Sequence, residues 1–394
     1  MKYRLMSALL LSSTLLGSCT DDDEPIQPTS EAAVQNYAAI VYANYTDALE
    51  TATALKSAVD SFVEAPSEAG LEEAKQAWLA SRDPYGQSEA YRFYDGPIDD
   101  SDGPEGQLNA WPLDEVYLDY VDGDEDAGII NSTLEISKAS IAGYNEGGQG
   151  DILSSGSGFD AEKAIATGYH AIEFLLWGQD LSATGPGTRP YTDYTTRANA
   201  DRRGTYLKLT AELLVEDLTT LVADWAPEDA SNYRNASFLA QDTSESLKAM
   251  FTSIGILAKG ELGGERIDVA LANKSQEDEH SCFSDNTNAD IYNNALGVQN
   301  VYLGQYGSLT GTGLSALVAE VDPDLDEEIK TLLDEAVTLA KTLPLTFDQI
   351  IVDESSDGYA QANNLVIKLQ EVAEKLVSAA TAVGLGTISV ELPE

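Results

Sequence analysis

Two ionisable residues lie three positions apart inside the most apolar stretch of the sequence. The stretch runs from Ile165 to Trp177 and contains His170 and Glu173. Residues three apart on a helix share one face. Burying two ionisable groups costs free energy unless they bind each other, a metal or a ligand. The chain has only two histidines. The pair is either a hydrogen bond that satisfies itself or part of a binding cleft, and we predict the cleft.

The second histidine also has a carboxylate at helical spacing, in the mirror order Glu277-x-x-His280. Glu-x-x-His pairs on facing helices are the ligand pattern of di-iron bundles, and two histidines with one carboxylate form the facial triad of non-haem iron. The sequence therefore predicts a metal site made of His170, Glu173 and His280. The alternative is that residues 275–290, which are polar, form a solvated loop.

The same residues would suit a zinc peptidase, although HExxH and HxxEH are both absent. A catalytic zinc takes three protein ligands and an open position, with a general base nearby. His170, Glu173 and His280 would be the ligands. The base would then be one of three acids in an earlier segment, Glu89, Asp114 or Glu115.

One buried helix must position the first pair. Asp160 is the predicted N-cap residue and Gly178 the predicted C′ residue. The residues between them leave almost no polar face, so the helix is expected to lie inside a bundle. Gly168 costs about 1 kcal/mol in a helix interior relative to Ala, which indicates that something approaches the backbone closely there.

Four stretches together resemble the imelysin family, which includes iron-regulated proteins and is also classed as peptidase M75. The first is the GxHxxE motif, Gly168 to Glu173, followed by FLLWG. The others are residues 85–99 (YGQSEAYRFYDGPID), 103–115 (GPEGQLNAWPLDE) and 276–287 (QEDEHSCFSDNT). The family often has a histidine where this chain has Asn288, and that difference removes a metal ligand.

The resemblance implies a duplicated pair of helical bundles with the GxHxxE helix facing a cleft between them. It also implies a link to iron or haem, while zinc stays the alternative. The predicted cleft residues, taken from the matching motifs and the loops beside them, are Gly168, His170, Glu173, Glu89, Arg92, Asp114, Glu115, Asp278, Ser281 and Asp285. Arg92 and Arg266 are expected either to pair with acids such as Glu89 and Glu265 or to bind an anionic ligand.

The net charge of the chain argues against a nucleic-acid partner. The chain carries 67 acidic and 22 basic residues, a formal charge of −45. Phosphate would be repelled at every contact, so no nucleic-acid partner is expected. Hard cations that prefer carboxylate oxygen would be attracted.

The N-terminus resembles a lipoprotein signal peptide. Lys2 and Arg4 precede the apolar run 5–16, which is too short for a final membrane span. The following LGSC reads as a lipobox. We therefore predict a signal peptide over residues 1–18, lipidation of Cys19 and a tether over 19–30. The predicted location is the bacterial cell envelope, anchored to a membrane on the periplasmic or outer-surface side.

Lipidation of Cys19 would leave Cys282 without a disulfide partner. Cys282 is then either a small buried apolar residue or a thiolate near His280.

The periodicity predicts an all-α fold. Helices are expected over 31–63, from 68 to a break at Pro84, and over 129–142, 204–225, 236–262, 323–342 and 357–383. Long loops are expected at 95–126 and 143–158, a turn-rich connector at 297–306, and a final segment at 387–392 that either pairs as a strand or lies on the bundle. We place a domain boundary within 182–203, giving four-helix-bundle-like domains over 31–190 and 191–394.

The sequence thus predicts a binding component in iron or haem acquisition that works with an envelope transport partner. A zinc metallopeptidase is the alternative from enzyme chemistry. A non-catalytic surface interaction module is the third hypothesis.

Overall fold

The computed structural model describes residues 28–147 and 161–392, and the fold over these residues is all-α, as predicted. The helices are α1 (Pro28–Glu64), α2 (Glu68–Ser88), α3 (Glu105–Asn109), α4 (Glu115–Leu118), α5 (Gly128–Asn131), α6 (Lys138–Tyr144), α7 (Gly168–Trp177), α8 (Ala200–Trp225), α9 (Thr243–Ile256), α10 (Val269–Asn273), α11 (Thr287–Leu303), α12 (Leu314–Val321), α13 (Pro323–Lys341), α14 (Phe347–Val352) and α15 (Asp357–Ala382). Two short antiparallel strands form a hairpin, β1 (Gln305–Tyr306) and β2 (Leu309–Thr310).

The first two helices form a hairpin as their apolar spacing predicts. Ser67 caps α2, where its hydroxyl accepts a hydrogen bond of 3.1 Å from the Gly70 N–H. The prediction that Pro84 ends this helix is wrong, because α2 continues to Ser88. A proline removes one helical hydrogen bond, but α2 is held on both sides by α1 and α11. The Asn44 amide on α1 also donates to the Pro84 carbonyl at 2.7 Å.

Two groups of helices make up the body of the protein. In the first, α1 packs against α2 and α8, and α7 packs against α2 and α8. In the second, α15 packs against α9 and α13, and α11 packs against α13. Helices α2 and α11 join the groups. The duplication and the boundary between residues 190 and 191 stay predictions, although the position of α8 beside α1 favours a boundary after Trp225.

Several local predictions need correction. One helical segment runs unbroken from Thr243 to Asn273, because a π-helical stretch (Leu257–Asp268) joins α9 to α10 where an end was expected. Helix α11 extends through Gly297 to Leu303, where a connector was expected. Gly297 is needed for contact between helices, since a Cβ there would stand 2.5 Å from the Gln87 carbonyl oxygen.

One more segment differs from its prediction, and the final segment follows the second of its two predicted alternatives, lying on the bundle. Residues 129–142 contain α5 and α6 rather than one helix. The final segment forms no strand within the described residues, and Val390 lies against Gly255 of α9.

The signal peptide and Cys19 lie outside the described residues, as do Asp160 and most of the loop at 143–158. The last three residues of the predicted tether, 28–30, belong to α1. None of the described helices is both long enough and apolar enough to cross a membrane.

Candidate functional site

Helix α7 begins and ends at glycines. Gly168 has φ +81°, and a Cβ on it would stand 2.4 Å from the carbonyl oxygen of Leu108. The predicted helix start after Asp160 is wrong, because α7 begins at Gly168 with Thr167 at the N-cap position. Gly168 therefore stands at the helix start rather than in its interior. It lets α3 approach there, which is the close backbone contact that the sequence indicated. Gly178 ends the helix at φ +72°, as expected of a glycine at a helix C-terminus.

The predicted pair on α7 forms and is fully buried. His170 Nδ1 lies 3.0 Å from Glu173 Oε2. Glu173 Oε1 accepts hydrogen bonds from both the N–H and the hydroxyl of Ser284, at 2.9 and 2.7 Å. Both carboxylate oxygens of Glu173 are thus engaged by protein groups, while His170 Nε2 is buried without a partner.

Burial keeps this pair uncharged. It raises the pKa of Glu173 to about 8, although the Ser284 hydrogen bond opposes the rise. Burial also lowers the pKa of His170 well below its usual value, and the nearby His280 adds to that effect. Both shifts favour the uncharged forms of the two side chains, which share one hydrogen bond between His170 Nδ1 and Glu173 Oε2.

The second histidine lies beside the first although it is 110 residues later in the chain. The ring centroids of His170 and His280 are 4.7 Å apart in an edge-to-face arrangement. His280 Nδ1 lies 3.2 Å from Asp290 Oδ2, and Nε2 lies 3.5 Å from the Asn109 amide nitrogen. Burial and the Arg266 charge lower the pKa of His280 to about 4, so this ring is neutral too.

A buried ion-paired core surrounds the histidines, consisting of Arg82, Glu89, Arg92, Arg266 and Asp290. Glu89 accepts hydrogen bonds from Arg92 at 2.9 Å and from Arg266 at 2.8 Å. Arg82 Nε donates to Asp290 at 3.2 Å. Burial alone would raise the pKa of Glu89, but the two guanidinium groups outweigh burial and lower it to about 2. Arg82 and His280 likewise hold the pKa of Asp290 far below its usual value against burial.

The π-helical stretch (Leu257–Asp268) contributes two charged side chains to the site, Glu261 and Arg266. Arg266 donates to Glu261, five residues before it, at 2.9 Å, which is the spacing of one π-helical turn. Such turns occur often at functional sites. The predicted partner of Arg266, Glu265, is exposed to solvent, so that part of the prediction is wrong.

A cavity of about 380 Å³ opens onto His280, and we call it the histidine pocket. Both helix groups contribute to it. Its lining residues are Arg92, Glu105, Asn109, Ala110, Trp111, Glu146, Glu162, Glu261, Arg266 and His280. Four glutamates outnumber two arginines among these residues. The pocket therefore favours a cationic ligand over an anionic one.

A family model described as imelysin, Peptidase_M75, matches residues 41–376. The chain belongs to the imelysin family. One relative is the iron-regulated protein A of Synechococcus elongatus, which is 29% identical over 273 residues. The match covers 68% of this chain and 62% of the relative, so the chain spans less than two thirds of that protein's length.

Two solved structures share the fold. One is the crystal structure of a protein assigned as an iron-regulated protein A precursor from Parabacteroides distasonis, with a TM-score of 0.68 and 20% identity. It covers 91% of this chain and 97% of that one. The other is an imelysin-like protein from Psychrobacter arcticus, with a TM-score of 0.64 and 15% identity over 92% of this chain and 97% of that one.

The predicted metal trio of this imelysin-family protein lacks a shared free face. Both oxygens of Glu173 are engaged by His170 and Ser284. Among residues 28–147 and 161–392, no group of three or more His, Cys, Asp or Glu is placed to hold one ion. The trio stays a prediction. Haem fits poorly as well, because the glutamates of the histidine pocket would repel its propionates.

The other predicted cleft residues divide into two sets. Glu89 and Arg92 belong to the ion-paired core, and the Ser281 hydroxyl donates to Asp290 within the site. Asp114 caps α4, and Glu115, on the same turn, accepts from Gln179. Neither lines the histidine pocket.

Asp278 and Asp285 also lie away from the pocket. Asp278 accepts a hydrogen bond from Asn273 at 2.9 Å. Asp285 lies at the far end of the loop that carries His280, with φ +57°. Glu277, which the mirror spacing paired with His280, is exposed. The partner of His280 is Asp290, because residues 279–284 are buried rather than solvated.

The sequence did not identify four residues of the site, namely Glu105, Asn109 and Glu261, which line the histidine pocket, and Asp290, which contacts His280. Glu105 and Asn109 lie inside the matching stretch 103–115, so that motif held the signal. The glycines around Glu261 marked an unusual helix. Asp290 is ten residues after His280, and no local spacing links the two.

Cys282 is buried, and burial raises the pKa of its thiol well above the usual value. It is therefore a small buried thiol rather than a thiolate beside His280.

Proposed function

We propose that this protein is a lipid-anchored component of the bacterial cell envelope that captures ferrous iron, as cargo, in the histidine pocket. The observation that carries this proposal is a neutral histidine at the base of a pocket in which glutamates outnumber arginines. Neutral imidazole is the metal-binding form of histidine, and imidazole together with carboxylate is a ligand combination that suits Fe(II).

Charge supports capture of a cation from solution. Glu105 and Glu261 are partly accessible, with 22% and 18% of their side chains exposed. The whole chain, at −45, would raise the local concentration of cations. Arg92 and Arg266 are already paired with glutamates, so their guanidinium groups are not free to bind an anionic ligand.

The family and the proposed anchor give this binding a biological setting. The Synechococcus relative is named for regulation by iron, and a protein made in response to iron has reason to bind it. Acylation of Cys19 would hold the chain at a membrane, where bacterial lipoproteins carry more than one acyl chain. An envelope transport partner would then receive the iron.

The test is anaerobic calorimetry with Fe(II) alone on the full chain, beside Glu105→Gln and Glu261→Gln. Each substitution keeps the side-chain shape and removes one negative charge from the pocket. We expect binding to weaken at least about ten-fold in each, a loss of about 1.4 kcal/mol. Glu265→Gln is the matched control, because Glu265 is exposed on the same π-helical stretch. Equal affinity in all four proteins would contradict the proposal.

His170→Ala tests whether iron binds in the histidine pocket or at the predicted metal trio of His170, Glu173 and His280. His170 does not line the histidine pocket, so we expect this variant to lose less affinity than His280→Ala. An equal loss in both would favour a site that includes His170. Cleavage of an unfolded protein substrate that stops with a chelator and returns with Zn(II) would instead support the peptidase alternative.

A further inference from the structure

The last described residues of the chain lie across the end of α9 and the π-helical stretch (Leu257–Asp268). We call residues 385–392 the C-terminal strap. The strap is neither helix nor strand. Three of its apolar side chains are buried, namely Leu385, Ile388 and Val390. The Glu391 carboxylate forms an ion pair with Lys259 of the π-helical stretch. Side-chain contacts therefore fasten this irregular segment to the helices.

Two glycines on the helical segment make room for the strap. A Cβ on Gly255 would stand 2.6 Å from Val390 Cγ1, and a Cβ on Gly260 would stand 2.7 Å from Leu392 Cγ. Ordinary contacts between carbon atoms are about 3.5–4.0 Å. In both places the nearest atoms to the added Cβ belong to the strap. The strap thus packs directly on the backbone at these two positions.

The spacing of the two glycines matches a π-helical register. Gly255 and Gly260 are five residues apart, and π-helical hydrogen bonds link residues five apart. The bond from the Val269 N–H to the Gly264 carbonyl shows the same spacing at the other end of the stretch. In an α-helix, residues five apart point in directions that differ by about 140°, since 3.6 residues make one turn. An α-helical segment would therefore turn one of the two glycines away from the strap.

The same spacing recurs on the side that faces the histidine pocket. Glu261 and Arg266 are also five residues apart, and both line the pocket. Their side chains are hydrogen-bonded at 2.9 Å. Arg266 also donates to Glu89 at 2.8 Å and to Asn294 at 2.6 Å. One backbone register thus serves the contacts of the strap and the contacts of the pocket.

From these contacts we infer that the C-terminal strap is a positioning segment for the histidine pocket. By packing on Gly255 and Gly260, it holds the π-helical register that brings Glu261 and Arg266 together. The π-helix is rare, and the α-helix is the ordinary alternative. The strap favours the π-helical register by the difference between its packing on the two registers. Its effect on iron binding rests on the proposed function, whereas its effect on the backbone register does not.

The register is tested by hydrogen exchange with mass spectrometry on the full chain, without added metal. The variant is Val390→Ala combined with Leu392→Ala. We expect the amides of the π-helical stretch to exchange at least about ten-fold faster than in wild type, because local opening sets the exchange rate. Exchange in α8, which belongs to the other helix group, should not change. Thr387→Ala is the matched control, because Thr387 is an exposed residue of the same strap.

Two results would overturn the inference. One is unchanged exchange in the π-helical stretch of the double variant. The other is an equal acceleration in that stretch and in α8, which would mean that the strap adds only general stability. Gly260→Ala reaches the same contact from the helix, because its Cβ would meet Leu392. It should accelerate exchange of the same amides, and it gives an independent answer if the double variant does not fold.

Anaerobic calorimetry with Fe(II) alone then connects the register to the pocket. We expect the double variant to bind Fe(II) at least about ten-fold more weakly than wild type, and Thr387→Ala to bind it equally well. Fe(II) affinity equal to that of wild type, despite faster exchange in the π-helical stretch, would refute the positioning role. Faster exchange with no binding of Fe(II) by wild type would refute the proposed function and support the effect of the strap on the register.

Discussion

The ion-paired core and the pair of buried acids Glu279 and Asp348 treat the charges of their carboxylates in opposite ways. Glu89 and Asp290 each face a guanidinium group within hydrogen-bond distance. Within the described residues, no lysine or arginine donates to Glu279 or Asp348. The pKa values follow that difference, since the guanidinium groups lower the pKa of Glu89 to about 2, while burial raises the pKa of Glu279 well above its usual value. Burial alone therefore does not identify a site, and the state of the partners does.

The contrast assigns the two regions different work. In the core the acids pair with arginines, and Asp290 also contacts His280. At Glu279 no arginine offsets burial, so burial favours the protonated form of this acid.

The largest expected effect comes from breaking the core at Asp290→Ala. Arg82 would then be a buried charge without its counter-ion, and His280 would lose its neighbour. Removing one partner of a buried ion pair costs about 3–5 kcal/mol, and we expect urea unfolding at pH 7 to show a loss of that size. If adding Arg82→Leu to an Asp290→Leu variant restores the unfolding free energy, the unpaired charge of Arg82 is the cause of the loss. A loss below 1 kcal/mol would contradict the assignment of this pair to the fold.

A matched pair of substitutions sharpens the comparison, because Glu89 and Glu279 are both buried glutamates. Glu89→Gln removes the charge that two arginines need and should cost roughly 2–4 kcal/mol. Glu279→Gln should leave the unfolding free energy unchanged or raise it, because no arginine depends on that charge. The same chemical change would thus have opposite signs in the two regions. If both variants lose stability equally, the distinction between the regions fails.

The pH dependence of stability in the Glu89→Gln comparison follows from the direction in which the pKa of Glu89 is shifted. Its pKa is lowered in the folded state, from 4.5 to about 2. The stability it contributes is therefore complete above the unfolded pKa and is lost as the pH falls toward the folded one. We expect the difference between wild type and Glu89→Gln in urea unfolding to be constant from pH 6 to 8 and to shrink below about pH 4.5. A difference that grows on acidification would have the wrong sign.

The smallest expected effect is at Ser284, in the loop that joins the two regions. Its hydroxyl donates to Glu173 at 2.7 Å, and its backbone N–H donates to the same oxygen. Ser284→Ala removes only the hydroxyl bond, so we expect a loss of about 1 kcal/mol in unfolding free energy. A loss above about 3 kcal/mol would mean that the Ser284 hydroxyl contributes more than one ordinary hydrogen bond.

The sequence by itself determined the helices and the first half of the site. Apolar residues at three- and four-residue steps predicted α1, α8, α13 and α15, since helix periodicity is a local property. The spacing of His170 and Glu173 predicted their contact for the same reason. The glycines at 168 and 178 marked a close approach and a helix end.

The tertiary structure decided the rest, because it depends on contacts between residues far apart in the chain. Pro84 and Gly297 read as breaks, yet packing between α2 and its neighbours keeps both helices intact. The partner of His280 is Asp290 rather than the locally spaced Glu277, because the loop buries one and exposes the other. Whether a buried glutamate is paired with arginines, as Glu89 is, or left without an arginine, as Glu279 is, depends on which segments meet it. Only the folded chain brings Arg266 to Glu89 and leaves Glu279 facing other acids.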